Sequence, residues 1–277
     1  MSNKTFKIAV LIKQVPIPSK MRATKEGLMD RSVASMMNPY CKHALEAALE
    51  LKDTIGEEKT EIWVISMGPP NFEQSLREAL SMGADHAILL SDRKLAGSDT
   101  YATAKALGTL IQKLGVNFNI VFAGLQTIDG DTAHVGPQVA ERLGIPHVSY
   151  VEKIDFKGDH VVVRRILEGG NITYKVPLPA LLTITNTANK PRGPRLKYAI
   201  RAKNEEIKVY SVDDIGLTAE EVGSAGSPTL VYRVKNVTHD RPPCQFMEGE
   251  TVEDKVNMLA EKLRELVEAS KAEAVEA

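Results

Sequence analysis

A chain of 277 residues with 43% hydrophobic side chains can bury a full core, and 35 Lys and Arg against 36 Asp and Glu leave a formal net charge of -1. That balance argues against a nucleic-acid binder or a protein held on anionic lipid, and an aromatic content of 5% argues against a base-stacking platform. The apolar runs fall well short of the ~20 residues that cross a bilayer, and the first residues lack the apolar core of a signal peptide; a cytoplasmic location is therefore the expectation, with Cys41 and Cys244 as packed thiols and not metal ligands or a disulfide framework.

Phe6 to Ile12 is a β-rich apolar run that predicts a central first strand ending at Lys13-Gln14-Val15-Pro16. Pro18 to Ser35 reads as a long loop or small hairpin. Asn38-Pro39 then predicts a helix with Asn as N-cap, Pro at the first helical position and Ala44, Leu45, Ala48, Leu49 and Leu51 as its buried stripe. Glu61 to Met67 predicts a strand stopped at Gly68-Pro69-Pro70, with Asn71 capping the helix that carries Leu76, Ala79, Leu80 and Met82. A strand at His86 to Leu90, a helix from about Asp99 to Leu114, a strand at Asn119 to Ala123, a helix ending at Gly144 and a strand at His147 to Tyr150 follow.

This alternation predicts an α/β fold, a doubly wound and mostly parallel sheet of the adenine-nucleotide-binding type. From Val151 the pattern changes to antiparallel hairpins, with turns at Lys157-Gly158-Asp159 and Glu168-Gly169-Gly170, before Pro179 to Thr185 returns as a buried strand. Asn186 to Asn204, rich in Lys and Arg, reads as an exposed basic loop or short helix, and its bland alternative is a solvated connection. Past Ile207 to Ser211 the signals thin to a short helix near Ala219, a strand from Thr229 to Val234, a turn at Arg241-Pro242-Pro243 and an amphipathic helix from about Val252 to Ala269, with fraying after Lys271. We therefore expect a domain over residues 1–210 and a C-terminal arm over 211–277 that packs on a partner subunit.

The candidate site is the connection Gly124-Leu125-Gln126-Thr127-Ile128-Asp129-Gly130-Asp131-Thr132-Ala133-His134-Val135-Gly136-Pro137. A strand-loop-helix unit aims backbone N–H groups and the positive end of a helix dipole at the loop's occupant, which favours a phosphate. Asp129 and Asp131 would repel that phosphate unless they cap N–H groups of the turn or accept from sugar hydroxyls, and ribose with phosphate means a nucleotide. An ordinary strand-to-helix loop fits this stretch equally well. Leu11, Asn38, Met67-Gly68 and Asp99-Thr100 should reach the same carboxyl edge of the sheet. No phosphate-loop, dinucleotide or nucleophile-elbow motif occurs, and His134 has no nucleophile beside it, so a nucleotide that is bound and not consumed is the simplest reading.

Several landmarks in order resemble the β subunit of electron transfer flavoproteins: Lys13-Gln14-Val15, Asn38-Pro39-Tyr40-Cys41, Met67-Gly68-Pro69, Gln126 to Asp131, Glu168-Gly169-Gly170 followed by Leu178 to Thr183, and Pro191-Arg192 leading to Ala202-Lys203. The chain departs from the family signature at Ile172 and Tyr174, where an acidic or amide residue and then an aliphatic one are expected. The resemblance implies a heterodimer with an electron transfer flavoprotein α subunit. Its nucleotide contacts would be Leu11, Lys13, Asn38, Pro39, Tyr40, Cys41, Met67 and the loop from Gly124 to Gly136. It also implies a recognition segment at Pro191, Arg192, Arg195, Leu196 and Lys203 that docks on acyl-CoA dehydrogenase-like or quinone-linked oxidoreductases, one of which can be membrane-bound. Within that family one kind holds AMP in this subunit and passes single electrons from dehydrogenases. The other holds FAD, takes electrons from NADH and bifurcates them to a high-potential acceptor and to ferredoxin. The run Asp129 to Ala133 followed by Val135-Gly136-Pro137 looks like the bifurcating kind, small residues leaving the backbone free to approach a pyrophosphate. Two other classes remain: an adenylating or nucleotide-hydrolysing enzyme, for which Ser66-Met67-Gly68-Pro69 is the wrong loop, and a structural subunit with an empty pocket.

Overall fold

Alternate side chains of the first strand, β1 (Phe6–Ile12), go to opposite cores: Ile8, Val10 and Ile12 to one, Ala9 and Leu11 to the other. A strand buried on both faces has little polar character, which is why its sequence reads as a continuous apolar run. The computed structural model describes residues 6–20, 33–232 and 243–276. After β1 come a short antiparallel pair, β2 (Gln14–Pro16) with β3 (Ser35–Met37), and then α1 (Pro39–Ile55), β4 (Thr60–Met67), α2 (Glu73–Met82), β5 (His86–Leu90), α3 (Thr100–Lys113), β6 (Ile120–Gly124) and α4 (Val135–Leu143). The β2–β3 pair is the hairpin form of the expected Pro18 to Ser35 connection, whose residues 21–32 lie outside the described residues.

The second half adds β7 (His147–Phe156), β8 (His160–Leu167), β9 (Gly170–Pro177), β10 (Ala180–Ile184), α5 (Leu196–Asn204) and β11 (Lys208–Tyr210). Among the described residues one sheet runs in the order β11-β5-β4-β1-β6-β10-β7-β8-β9. It is parallel from β11 to β7, and the β7–β8 and β8–β9 pairs are antiparallel. Strand order reverses at β1, which lies between β4 and β6, so the switch-point crevice opens where Leu11, Met67 and Gly124 emerge. One core lies beneath α1 and α2, the other beneath α3 and α4.

Four expectations change. The strand foreseen as His147 to Tyr150 and the separate Lys153 to Phe156 are one ten-residue strand. Tyr150 takes a positive φ of 60° where the register shifts, and the strand exchanges its parallel neighbour for an antiparallel one without breaking. Asn71 does not cap α2, because Pro70–Phe72 forms a tighter helical turn first and Phe72 takes the cap position. Cys41 is buried, but Cys244 is exposed in a stretch with no helix or strand to cover it. No strand forms over Thr229–Tyr232, where Leu230, Val231 and Tyr232 stand exposed; residues 233–242, which include Val234 and the Arg241-Pro242 turn, lie outside the described residues.

Contacts divide the chain into two units, Met1–Lys235 and Asn236–Ala277. The first runs past the boundary foreseen at residue 210, because Val212, Ile215, Leu217 and Val222 bury themselves in the core beneath α3. The second carries α6 (Val252–Glu276), whose exposed Val252, Val256, Leu259, Leu263 and Leu266 recur at helical spacing and which continues beyond the foreseen end near Ala269. Among the described residues no helix is long and apolar enough to cross a membrane, and no cluster of His, Cys, Asp and Glu could hold a metal ion.

Candidate functional site

Pro39 decides how the site is assembled. It sits at the start of α1 and holds the residue before it out of the helical region, so Asn38 is extended at φ -54° and ψ 130°. Its main-chain carbonyl accepts from the N–H groups of Cys41 and Lys42, closing the first turn. The side chain makes no cap hydrogen bond, contrary to the N-cap expectation. Instead Nδ2 donates to the carbonyl of Gln126 at 2.8 Å and to Cys41 Sγ at 3.4 Å, while Oδ1 accepts from the N–H of Ile128 at 3.2 Å. One amide therefore joins the start of α1 to the loop leaving β6. Burial pushes the Cys41 thiol up, against the hydrogen bond from Asn38, so it stays a protonated, packed group.

The loop is tied elsewhere too. Lys13 Nζ donates to both oxygens of Asp129 at 2.9 Å, and that carboxylate side chain is only 2% exposed. Gln126 Nε2 donates to Asp131 Oδ1 at 2.5 Å, and Leu125 N–H donates to the carbonyl of Ile184 at the end of β10. Asp129 thus meets the ammonium of Lys13 across the switch point, a pairing that no spacing in the sequence announces.

Close packing sets the remaining geometry. A Cβ on Gly124 would lie 2.7 Å from the carbonyl carbon of Tyr40 and 2.8 Å from Cys41 N, and one on Gly136 would lie 2.7 Å from Thr183 Cγ2. The smallness of Gly136 therefore serves the packing of α4 on β10 and not room for a ligand, whereas a Cβ on Gly130 would meet only Thr127 Oγ1, at 3.6 Å. Thr183 and Ile184 were missed as supports of this loop because their contact with it is made by sheet pairing between distant segments.

Between these ties Asp131 and Ala133 adopt positive φ values of 55° and 57°. Such backbone is costly for residues with a Cβ, by about 1–2 kcal/mol each, and persists only where the surroundings hold it, as the Asp131 N–H does by donating to the Thr127 carbonyl at 2.8 Å. The first N–H groups of α4, at Val135 and Gly136, have no intrahelical acceptor, Pro137 has none to donate, and Gln138 Oε1 in the same turn is buried without a partner among the described residues. Free N–H groups at a helix start suit a phosphate, so the residues present fit the anionic part of a nucleotide. His134 and Thr132 are exposed.

Not every foreseen contact is free to take a ligand. Met67 ends β4 and packs against the second core, and Gly68 N–H donates to the carbonyl of Leu90. Asp99 caps α3, with Thr100 as its first residue: Oδ1 accepts from Ala102 N–H and Oδ2 from the N–H and hydroxyl of Thr229. Burial opposes the charge of Asp99, but these hydrogen bonds outweigh it and hold the carboxyl below its usual range. The stability it contributes is accordingly present at neutral pH and lost as pH falls through that depressed value, below about 4. Asp99→Ala should cost about 1 kcal/mol in urea unfolding and speed amide exchange at Thr229.

In the segment foreseen for partner recognition, Pro191 is half-buried and Arg192 is drawn inward, its guanidinium binding Glu46 at 2.9 Å and Asp53 at 2.7 Å. Arg195 N–H donates to the carbonyl of Ser81, and Arg77 Nη1 donates to the carbonyls of Ala202 and Glu205, so α5 is seated on α2. Leu196 is 78% exposed, with Ile200 exposed one turn later and Lys203 exposed beyond.

The electron transfer flavoprotein domain model matches residues 27–215. The chain is 46% identical over 237 residues to an electron transfer flavoprotein subunit beta from Thermoanaerobacterium thermosaccharolyticum, covering 84% of this chain and 89% of that one. It is 45% identical over 236 residues to the protein FixA of Azorhizobium caulinodans, covering 82% and 83%. It is 41% identical over 266 residues to the caffeyl-CoA reductase-Etf complex subunit CarD of Acetobacterium woodii, covering 94% and 98%. With a parallel sheet reversing at β1, a loop tied to α1 and β10 at that reversal, and these likenesses along most of its length, the chain belongs to the electron transfer flavoprotein family, among its β subunits.

Proposed function

We propose that this β subunit holds FAD in the loop from Gly124 to Gly136 and serves an electron-bifurcating flavoprotein. When bound, FAD supplies two-electron acceptance from NADH and one-electron delivery to two acceptors, and the protein supplies binding and tuning. The observation that carries the reading is the pair of left-handed residues, Asp131 and Ala133, in the loop that precedes the N-terminus of α4. Main-chain N–H groups here would take the diphosphate. The Lys13–Asp129 pair and the Asn38 amide tie the first half of the loop to β1 and α1. Likeness over nearly the full chain to a subunit named for a caffeyl-CoA reductase-Etf complex supports a partner that acts on acyl-CoA-type substrates. The α subunit would hold the second flavin. The acceptors would be an acyl-CoA dehydrogenase-like or quinone-linked oxidoreductase and a ferredoxin-type carrier. Docking on the former would use Leu196, whose burial contributes on the order of 1.5–3 kcal/mol.

The test is a count. Purified with its α partner and denatured, the complex should release two FAD per heterodimer and no AMP, and NADH should bleach both flavins. One FAD with one AMP would replace this reading by single-electron shuttling.

A further inference from the structure

We propose that Asn38 is a positioning residue for the nucleotide loop, acting through Gln126 and Ile128 and not by touching the ligand. The inference rests on the reading that this loop holds a nucleotide, and it names what keeps the loop in register. Asn38 is 0% exposed, and both ends of its amide are engaged with loop backbone, the donor at the Gln126 carbonyl and the acceptor at the Ile128 N–H. Those bonds straddle Thr127, so they fix the orientation of the two peptide planes that flank it, upstream of Asp131 and Ala133. Asp131 N–H then donates to the carbonyl of Thr127 at 2.8 Å, carrying that orientation into the turn. An acceptor and a donor on one rigid planar group are needed to satisfy both planes; Ala offers neither, and an ionised Asp offers only the acceptor. The extended conformation before Pro39 frees the side chain for this work, because the cap is made by main chain.

Each outcome can be separated with the full chain in its heterodimer, using FAD itself as the probe and amide exchange of residues 125–133 as a readout independent of activity. In Asn38→Ala, exchange at Ile128 and Asp131 and the dissociation rate of FAD should both rise at least about tenfold, the loss of one to two buried hydrogen bonds. Asn38→Asp provides a second variant if the alanine form does not fold. As its buried carboxyl is protonated it regains a donor for the Gln126 carbonyl, so FAD release and loop exchange should both slow as pH falls. The ionisable neighbours, Cys41 in contact with Asn38 and the Lys13–Asp129 pair, are the same in the wild type, whose own pH profile is the baseline. Faster FAD release with unchanged loop exchange would mean that Asn38 touches the ligand, and pH-independent release from Asn38→Asp would mean a merely structural role. Either result overturns the proposal. A wild-type complex without nucleotide in this subunit would refute the reading of the site, while the exchange data would still decide what Asn38 does to the loop.

Discussion

Gly124→Val should leave a chain that no longer retains nucleotide and that unfolds at clearly lower urea. The Cβ of any replacement would lie within 2.9 Å of three atoms of Tyr40 and Cys41, two of them backbone, and a backbone clash cannot be relieved by a side-chain rotation. Either β6 withdraws from the start of α1 or α1 tilts away. Both movements pull the Gln126 carbonyl from Asn38 and turn the loop amides off their target. Overpacking of this kind costs about 1–3 kcal/mol for the first added methyl and more for a branched side chain. Gly130→Ala is the control, since its methyl meets only Thr127 Oγ1 at 3.6 Å and should change stability by less than about 0.5 kcal/mol. Nucleotide content by chromatography after denaturation and the urea midpoint decide the matter. A Gly124→Val protein that binds and melts as the wild type does would show that β6 and α1 do not need this approach.

Arg192→Ala should be the most damaging change in the segment from Pro191 to Lys203, although Arg192 itself is drawn inward. The Glu46 side chain is 5% exposed and accepts both the Arg192 main-chain N–H and its guanidinium, so removing the guanidinium leaves a buried carboxylate without its counter-charge and with only the main-chain donor. Breaking such a pair from one side costs about 3–5 kcal/mol when fully buried; Asp53, 63% exposed, adds little to that. Arg192→Ala combined with Glu46→Gln removes the stranded charge and should recover most of the stability. Docking on a dehydrogenase should stay weak in both, because Leu196 would then be presented by a segment no longer clamped to α1. Urea unfolding and partner affinity measured side by side distinguish the two effects. Restored affinity in the double variant would mean that the clamp serves stability alone.

The parallel half of the fold was legible because its signals are local. Buried strands read as continuous apolar runs, and helices with stripes such as Ala44, Leu45 and Ala48 show a period of 3.6, so β1, β4, β5, β6 and β10 and their crossovers follow from the chain. The places where reading failed are those where a distant segment outweighs a local preference. Asn38 has the chemistry of a cap, and only the arrival of the Gln126 loop diverts it. Arg192 has the composition of a docking residue, and the acidic face of α1 claims it. Thr229 to Tyr232 has the composition of a strand, yet no sheet edge takes it up among the described residues, and Thr229 is spent on Asp99. At the site itself the strand-loop-helix connection from β6 to α4 was foreseen, whereas the Lys13–Asp129 pair and the supports from Thr183 and Ile184 depend on strand order, which the sequence does not spell out locally.

The unbroken course of β7 has a mechanical consequence. Its early residues lie beside β10, and its later ones carry the antiparallel extension. Thr185 N–H is held by the Val151 carbonyl, while the Ile184 carbonyl holds Leu125. A subunit that gripped the extension and pulled would meet an unbroken strand up to the loop that leaves β6, so the force would have to shear that row of bonds or shift the loop with it.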